Sequence, residues 1–179
     1  AFMLHDYPGT TDRGAPLFEL ERFKAICREI SRRDLQIAVH AIGDGAVRQT
    51  IDGYEAARVA NGPRDIRHRI EHIELIDRAD VPRLGALGIT ASVQPPHPPG
   101  AMDFPMSTMS HVFHRDRWKD AYLTRTLAEH GAPLAFASDW PVTDVSVTAC
   151  TRASVASSRS RTSRLLSCTS SSSWTDQPS

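Results

Sequence analysis

Leu35-Gln-Ile-Ala-Val-His40-Ala-Ile-Gly-Asp-Gly-Ala46 is the stretch whose reading decides the fold. Its first half is a short apolar run that ends on a histidine, as a buried strand does. Its centre, Gly43-Asp44-Gly45, is turn chemistry, and beyond it Val47, Ile51 and Tyr54 recur at helical spacing until Asn61-Gly62-Pro63. A strand passing through a tight turn into a helix is one step of an α/β fold, and Asp44 is the expected N-cap of that helix.

Working outward, the same alternation repeats. Upstream, Leu17, Leu20, Phe23, Ile26 and Ile30 recur at helical spacing after Pro16 and stop at Ser31-Arg-Arg-Asp34. Downstream, a strand is expected over about Arg67–Leu75, a helix over Asp80–Leu87 closed by Gly88, and a strand over Ile89–Gln94 broken by Pro95-Pro96. A long Pro- and Met-rich segment, His97 to Phe113, exceeds what a plain connector needs. Within it, Met102, Phe104, Met106 and Met109 suit either a lid over an apolar ligand or loop packing. A helix over about Arg115–His130, with Trp118, Tyr122 and Arg125 on one face, leads through Gly131 to a fourth strand, Pro133–Ser138. Strands alternating with helices predict a parallel sheet with right-handed crossovers. Four strands make half of a barrel, whose eight take about 250 residues, or else a small doubly wound sheet.

Composition narrows the partners. The chain has 179 residues, with 21 Lys and Arg against 21 Asp and Glu, so it lacks the basic footprint that nucleic acid demands. Its longest apolar runs are strand-sized, well short of the roughly 20 residues of a membrane helix. Three widely spaced cysteines, without a CxxC pair, give neither a disulfide framework nor a thiolate metal site, and a cytoplasmic setting is the expectation. Residues 1–149 read as one domain. From Cys150 the chain turns to Ser, Thr and Arg, with little to bury, so residues 150–179 read as a disordered tail. That abrupt change also fits a break in the reading frame near Val145.

Three polar residues stand at the ends of apolar runs: His40, His72 in Arg69-Ile-Glu-His72, and Asp139 in Leu134-Ala-Phe-Ala-Ser-Asp139. In a parallel barrel such positions converge on one face, where two imidazoles and a carboxylate can hold a divalent ion. Each also has a plainer reading: a satisfied core histidine, a His72–Glu71 hydrogen bond, a turn cap at Asp139.

The motifs His40-Ala-Ile-Gly-Asp-Gly-Ala46, Arg69-Ile-Glu-His72, Ala91-Ser-Val-Gln-Pro-Pro-His97 and Ala137-Ser-Asp-Trp-Pro-Val142 together resemble the second half of a metal-dependent amidohydrolase, nearest to family 3, the group that includes N-substituted formamide deformylase-like enzymes. The resemblance spans about residues 1–145. It implies a partial TIM-like (β/α) barrel whose four strands are the fifth to eighth, with His40, His72 and Asp139 as ligands of a divalent metal, zinc first among the candidates. It implies that Asp139 also moves the proton in metal-assisted hydrolysis of a C–N bond in a small amide-like molecule. Gln94, His97 and Arg125 become candidate substrate contacts. The family's His-x-His pair and its bridging Lys, Glu or Cys are not found here, so the chain alone is expected to be inactive. A non-catalytic half-barrel that pairs with another chain or with itself through its open edges is the first alternative. A phosphotriesterase-like hydrolase is the second.

Overall fold

The computed structural model describes residues 1–99, 105, 107 and 109–143, with the backbone alone at residue 108. Met102, Phe104, Met106, the point near Val145 and the segment 150–179 lie outside the described residues.

The first helix, α1 (Leu20–Arg32), precedes strand β1 (Ala38–Ala41); α2 (Asp44–Asn61) leads to β2 (Arg69–His72), and α3 (Val81–Leu87) to β3 (Thr90–Val93). Between β3 and β4 (Leu134–Phe136) stand α4 (Ser107–Val112), a 3-10 turn (Arg115–Asp120) and α5 (Thr124–Glu129). The four strands form one parallel sheet in the order β1-β2-β3-β4, with Val39 opposite Ile70, Ile70 opposite Ala91 and Ala91 opposite Leu134.

Those register partners share one face because side chains alternate along a strand. On that face Ala41, Ile70, Ala91, Val93, Leu134 and Phe136 meet Phe23 and Cys27 of α1, Val47, Ile51 and Tyr54 of α2, Leu84 of α3 and Leu127 of α5 in a single core. Burying each large aliphatic side chain there contributes about 1.5–3 kcal/mol. Cys27 lies inside this core, and burial pushes its thiol up to about 12, so it is an inert packing residue. The opposite face carries Ala38, His40, Arg69, Glu71, Thr90, Ser92 and Ala135. A doubly wound sheet has helices on both faces and a reversal in strand order; among the described residues this sheet has neither.

All but one of the expected elements are present, most of them shorter than read. β1 begins at Ala38, leaving Leu35 exposed, and Leu17 lies outside α1, 96 % exposed. The continuous helix over Arg115–His130 is overturned. Tyr122 takes a left-handed φ of 51°, and Ala121 pairs antiparallel with Leu75, which splits the segment and dissolves the shared face of Trp118, Tyr122 and Arg125. Asp44 is not a cap. Gly43 holds that position, and the buried Asp44 carboxylate instead accepts the Leu4 N–H (2.8 Å) and an Arg117 N–H (2.9 Å). Gly43 is required by close approach: a Cβ there would stand 2.3 Å from the Phe2 carbonyl oxygen. Around this clasp a second cluster, Met3, Leu75, Met109 and Phe113, covers the end of the sheet where the strands finish.

Candidate metal centre

The residues singled out in the sequence stand at the C-terminal ends of the strands. His72 closes β2 and is buried; its backbone turns sharply, with φ of 79° at His72 and 51° at Ile73. A β-branched residue seldom adopts that conformation. The turn is held by the Ile73 and Leu75 N–H groups, which donate to the Ala41 and Ile42 carbonyls at 3.1 and 3.0 Å. Asp139, past β4, also has a positive φ, 61°, and its carbonyl accepts the Val142 N–H at 2.7 Å. With Tyr122, four of the six non-glycine residues of positive φ among the described residues gather at this end of the sheet. Each such conformation costs on the order of 1–3 kcal/mol, and strain of this kind concentrates where side chains must be aimed.

The side chains converge. Ligand atoms of His72, His97 and Asp139 all lie within 4.8 Å of one another. The rings of His72 and His97 are nearly parallel with centroids 5.7 Å apart, and His97 Nε2 is 3.8 Å from Asp139 Oδ2. His40, exposed on β1, meets His72 edge to face at a centroid distance of 4.4 Å. Burial, reinforced by the neighbouring His40, lowers the pKa of His72 and favours the neutral imidazole that can coordinate a metal. Its Nδ1 is buried with no hydrogen-bond partner among the described residues. An orphaned imidazole nitrogen beside a carboxylate and a second imidazole fits a divalent cation.

Around these residues lies a narrow cavity of about 30 Å³, lined by His72, Glu74, Gln94, His97, Tyr122 and Thr124 among others. Gln94 is buried in it; its Nε2 reaches the Ser92 carbonyl at 3.5 Å, while Oε1 has no hydrogen-bond partner among the described residues. Arg125, exposed on α5, does not line this cavity. The Glu71 carboxylate lies instead against Arg69, Oε1 standing 2.6 Å from Nε. The sequence reading passed over Glu74 and the role of Tyr122. Glu74 Oε1 is 3.4 Å from His97 Nδ1, and Tyr122 Oη donates to Glu74 Oε2 at 3.0 Å. The only signal in the sequence was the position of Glu74 two residues after His72.

A larger cavity, about 480 Å³ and mainly apolar, lies along the outer edge of β1 between Phe2, Leu17, Phe18, Val39 and Ile42, and His40 reaches its wall. No helix among the described residues is long and apolar enough to cross a membrane.

Comparisons with known proteins show the family of the chain. The profile described as the amidohydrolase family matches residues 1–170. The protein LONG AFTER FAR-RED 3 of Arabidopsis thaliana is 36 % identical over 146 residues, which are 81 % of this chain and 24 % of that protein. Crystal structures of uncharacterized metal-dependent hydrolases from Pyrococcus furiosus and Pyrococcus horikoshii OT3 superpose with TM-scores of 0.64 and 0.66 at 25 % and 26 % identity. Each superposition covers 81 % of this chain and 28 % of the hydrolase. The chain therefore spans about a quarter of the length of the relatives it matches.

Proposed function

This chain belongs to the amidohydrolase family, and from that premise we propose that it carries the metal-binding face of a metal-dependent hydrolase acting on C–N bonds of small amide-like molecules. The observation that carries the reading is the meeting of His72, His97 and Asp139 at one end of the sheet, with an unpaired imidazole nitrogen among them. His72, His97 and Asp139 would hold the ion, with His40 reaching in from β1 beside His72 as a further ligand. Two imidazoles and a carboxylate suit zinc first, then manganese, iron or cobalt.

When bound, such an ion polarises the scissile carbonyl and makes water a better nucleophile. The remaining work falls to the chain. Asp139 takes the proton from the attacking water on a carboxylate oxygen and delivers it to the departing nitrogen. Gln94 Oε1 accepts an N–H of the substrate, a donor that an amide supplies and a simple ester does not. The strained turns at His72 and Asp139 keep both side chains aimed before substrate arrives.

The sheet supports a place for these residues in strands five to eight of a TIM-like (β/α) barrel. Strand order is sequential, α1, α2, α3 and α5 pack on one face, and the candidate ligands stand at C-terminal strand ends. On this reading the chain by itself is inactive, because it supplies ligands from one side only. The open β1 edge, with its apolar cavity, favours a second reading in which the half-barrel associates with another copy through its edges.

Elemental analysis of the purified chain, beside His40→Ala and Asp139→Ala, tests the metal reading. About one divalent ion per chain, lost in both variants, is the expected result; a folded wild-type chain without metal in zinc-containing buffer overturns it. Assays on amides and on phosphoesters then decide the bond, and light scattering decides self-association.

A further inference from the structure

We propose that Glu74 and Tyr122 are positioning residues for His97: Glu74 takes the Nδ1–H of His97 on one carboxylate oxygen and the Tyr122 hydroxyl on the other, which fixes the tautomer with its hydrogen on Nδ1 while Nε2 faces Asp139. This rests on the reading of the cluster as a metal centre only for its use. The arrangement itself stands on geometry.

Both Glu74 oxygens face a polar group: Tyr122 Oη donates to Oε2 at 3.0 Å, and His97 Nδ1 lies 3.4 Å from Oε1. All three groups are buried or half-buried, where a carboxylate needs donors to offset its desolvation. Tyr122 and His97 are the donors supplied. Burial and the facing Glu74 charge raise the Tyr122 pKa, so its hydroxyl stays protonated and can only donate to the carboxylate. The backbone makes the pairing obligatory. The Tyr122 N–H donates to the Glu74 carbonyl at 2.8 Å, Ile76 N–H reaches the Asp120 carbonyl, and Leu75 bridges Ala121, so the segment after β2 and the segment before α5 are stapled together. That staple holds Tyr122 in its left-handed conformation. A ring nitrogen that donates to a carboxylate leaves the other nitrogen as the acceptor or ligand, and losing such a support typically costs 10–100-fold in metal affinity. His97 Nε2, 3.8 Å from Asp139 Oδ2, is the nitrogen that faces the carboxylate.

The test uses the whole chain, metal-free and at about pH 8, above the ordinary imidazole value. Long-range proton–nitrogen spectra report the tautomer of each histidine, and the signal absent from His97→Gln identifies His97. The expected result is a single Nδ1–H tautomer in the wild type, a mixture in Glu74→Ala and a shifted Nδ1 signal in Tyr122→Phe. Calorimetric titration with Zn²⁺ then gives an affinity about 10–100-fold weaker in Glu74→Ala and a smaller loss in Tyr122→Phe. An Nε2–H tautomer in the wild type overturns the proposal, as does a wild-type tautomer that persists in folded Glu74→Ala. If Glu74→Ala does not fold, the near-isosteric Tyr122→Phe decides, and an unmoved His97 signal there counts against it. A wild-type chain that binds no Zn²⁺ defeats the metal reading while the tautomer still answers for the positioning pair.

Discussion

His68, just before β2, and His72, which closes it, stand four residues apart, and their surroundings separate a structural histidine from a candidate ligand. His68 Nδ1 accepts the Ile37 N–H at 3.1 Å and its ring lies against Tyr54 at a centroid distance of 5.0 Å. His72 has an orphaned nitrogen, a strained backbone, two imidazole neighbours and a carboxylate. Burial lowers the pKa of both. A shifted pKa therefore marks burial at either end of this strand, and the unmet hydrogen-bonding capacity marks the site.

Ile70, midway between them and fully buried on the helix-covered face, sets the scale of pure packing. Ile70→Ala is expected to lower the unfolding free energy by about 2–5 kcal/mol in urea titration, whereas His40→Ala on the open face stays within about 0.5 kcal/mol. Next in size is the contrast in metal affinity: His72→Ala or Asp139→Ala weakens Zn²⁺ binding by more than the roughly 100-fold that loss of a supporting residue can cost, while His68→Asn leaves the calorimetric affinity unchanged. Equal losses from His68 and His72 would erase the distinction drawn here. Gly43→Ala, which forces a Cβ against Phe2, is expected to cost about 1–3 kcal/mol in the same urea titration. The smallest effect is the pH dependence contributed by His68. Its folded pKa lies below the unfolded value, so the unfolded chain binds the proton first. The stabilisation is complete above the ordinary value of about 6.5 and is lost as pH falls through the lower folded value. His68→Asn should flatten that part of the stability profile; an unchanged slope would show that His68 titrates alike in both states.

The sequence made the alternation of strand and helix legible because each apolar period is local. It also placed His40, His72 and Asp139 at strand ends, since a polar residue closing an apolar run is visible in one dimension. Three features escaped. Glu74 and Tyr122 are 48 residues apart, and only the bridge between Leu75 and Ala121 brings them together. The split at Tyr122 was hidden because helical spacing persists through a residue whose φ is set by tertiary hydrogen bonds. Asp44 read as a cap because Asp after a turn glycine usually is one; its true partners, Leu4 and Arg117, are remote in the chain.

That carboxylate has a consequence for how the chain folds. An array of similar strand-and-helix units can assemble one unit at a time, each stabilised by its neighbour. Asp44 interrupts such zippering, because its two bonds close loops of 40 and 73 residues at once. Residues 1–4 and the turn around Arg117 are thereby secured at a single point, and neither can detach without leaving a charge stranded in the interior. Unfolding of this half-sheet should proceed as one event, with hydrogen exchange at Leu4 and at Ile70 answering to the same opening.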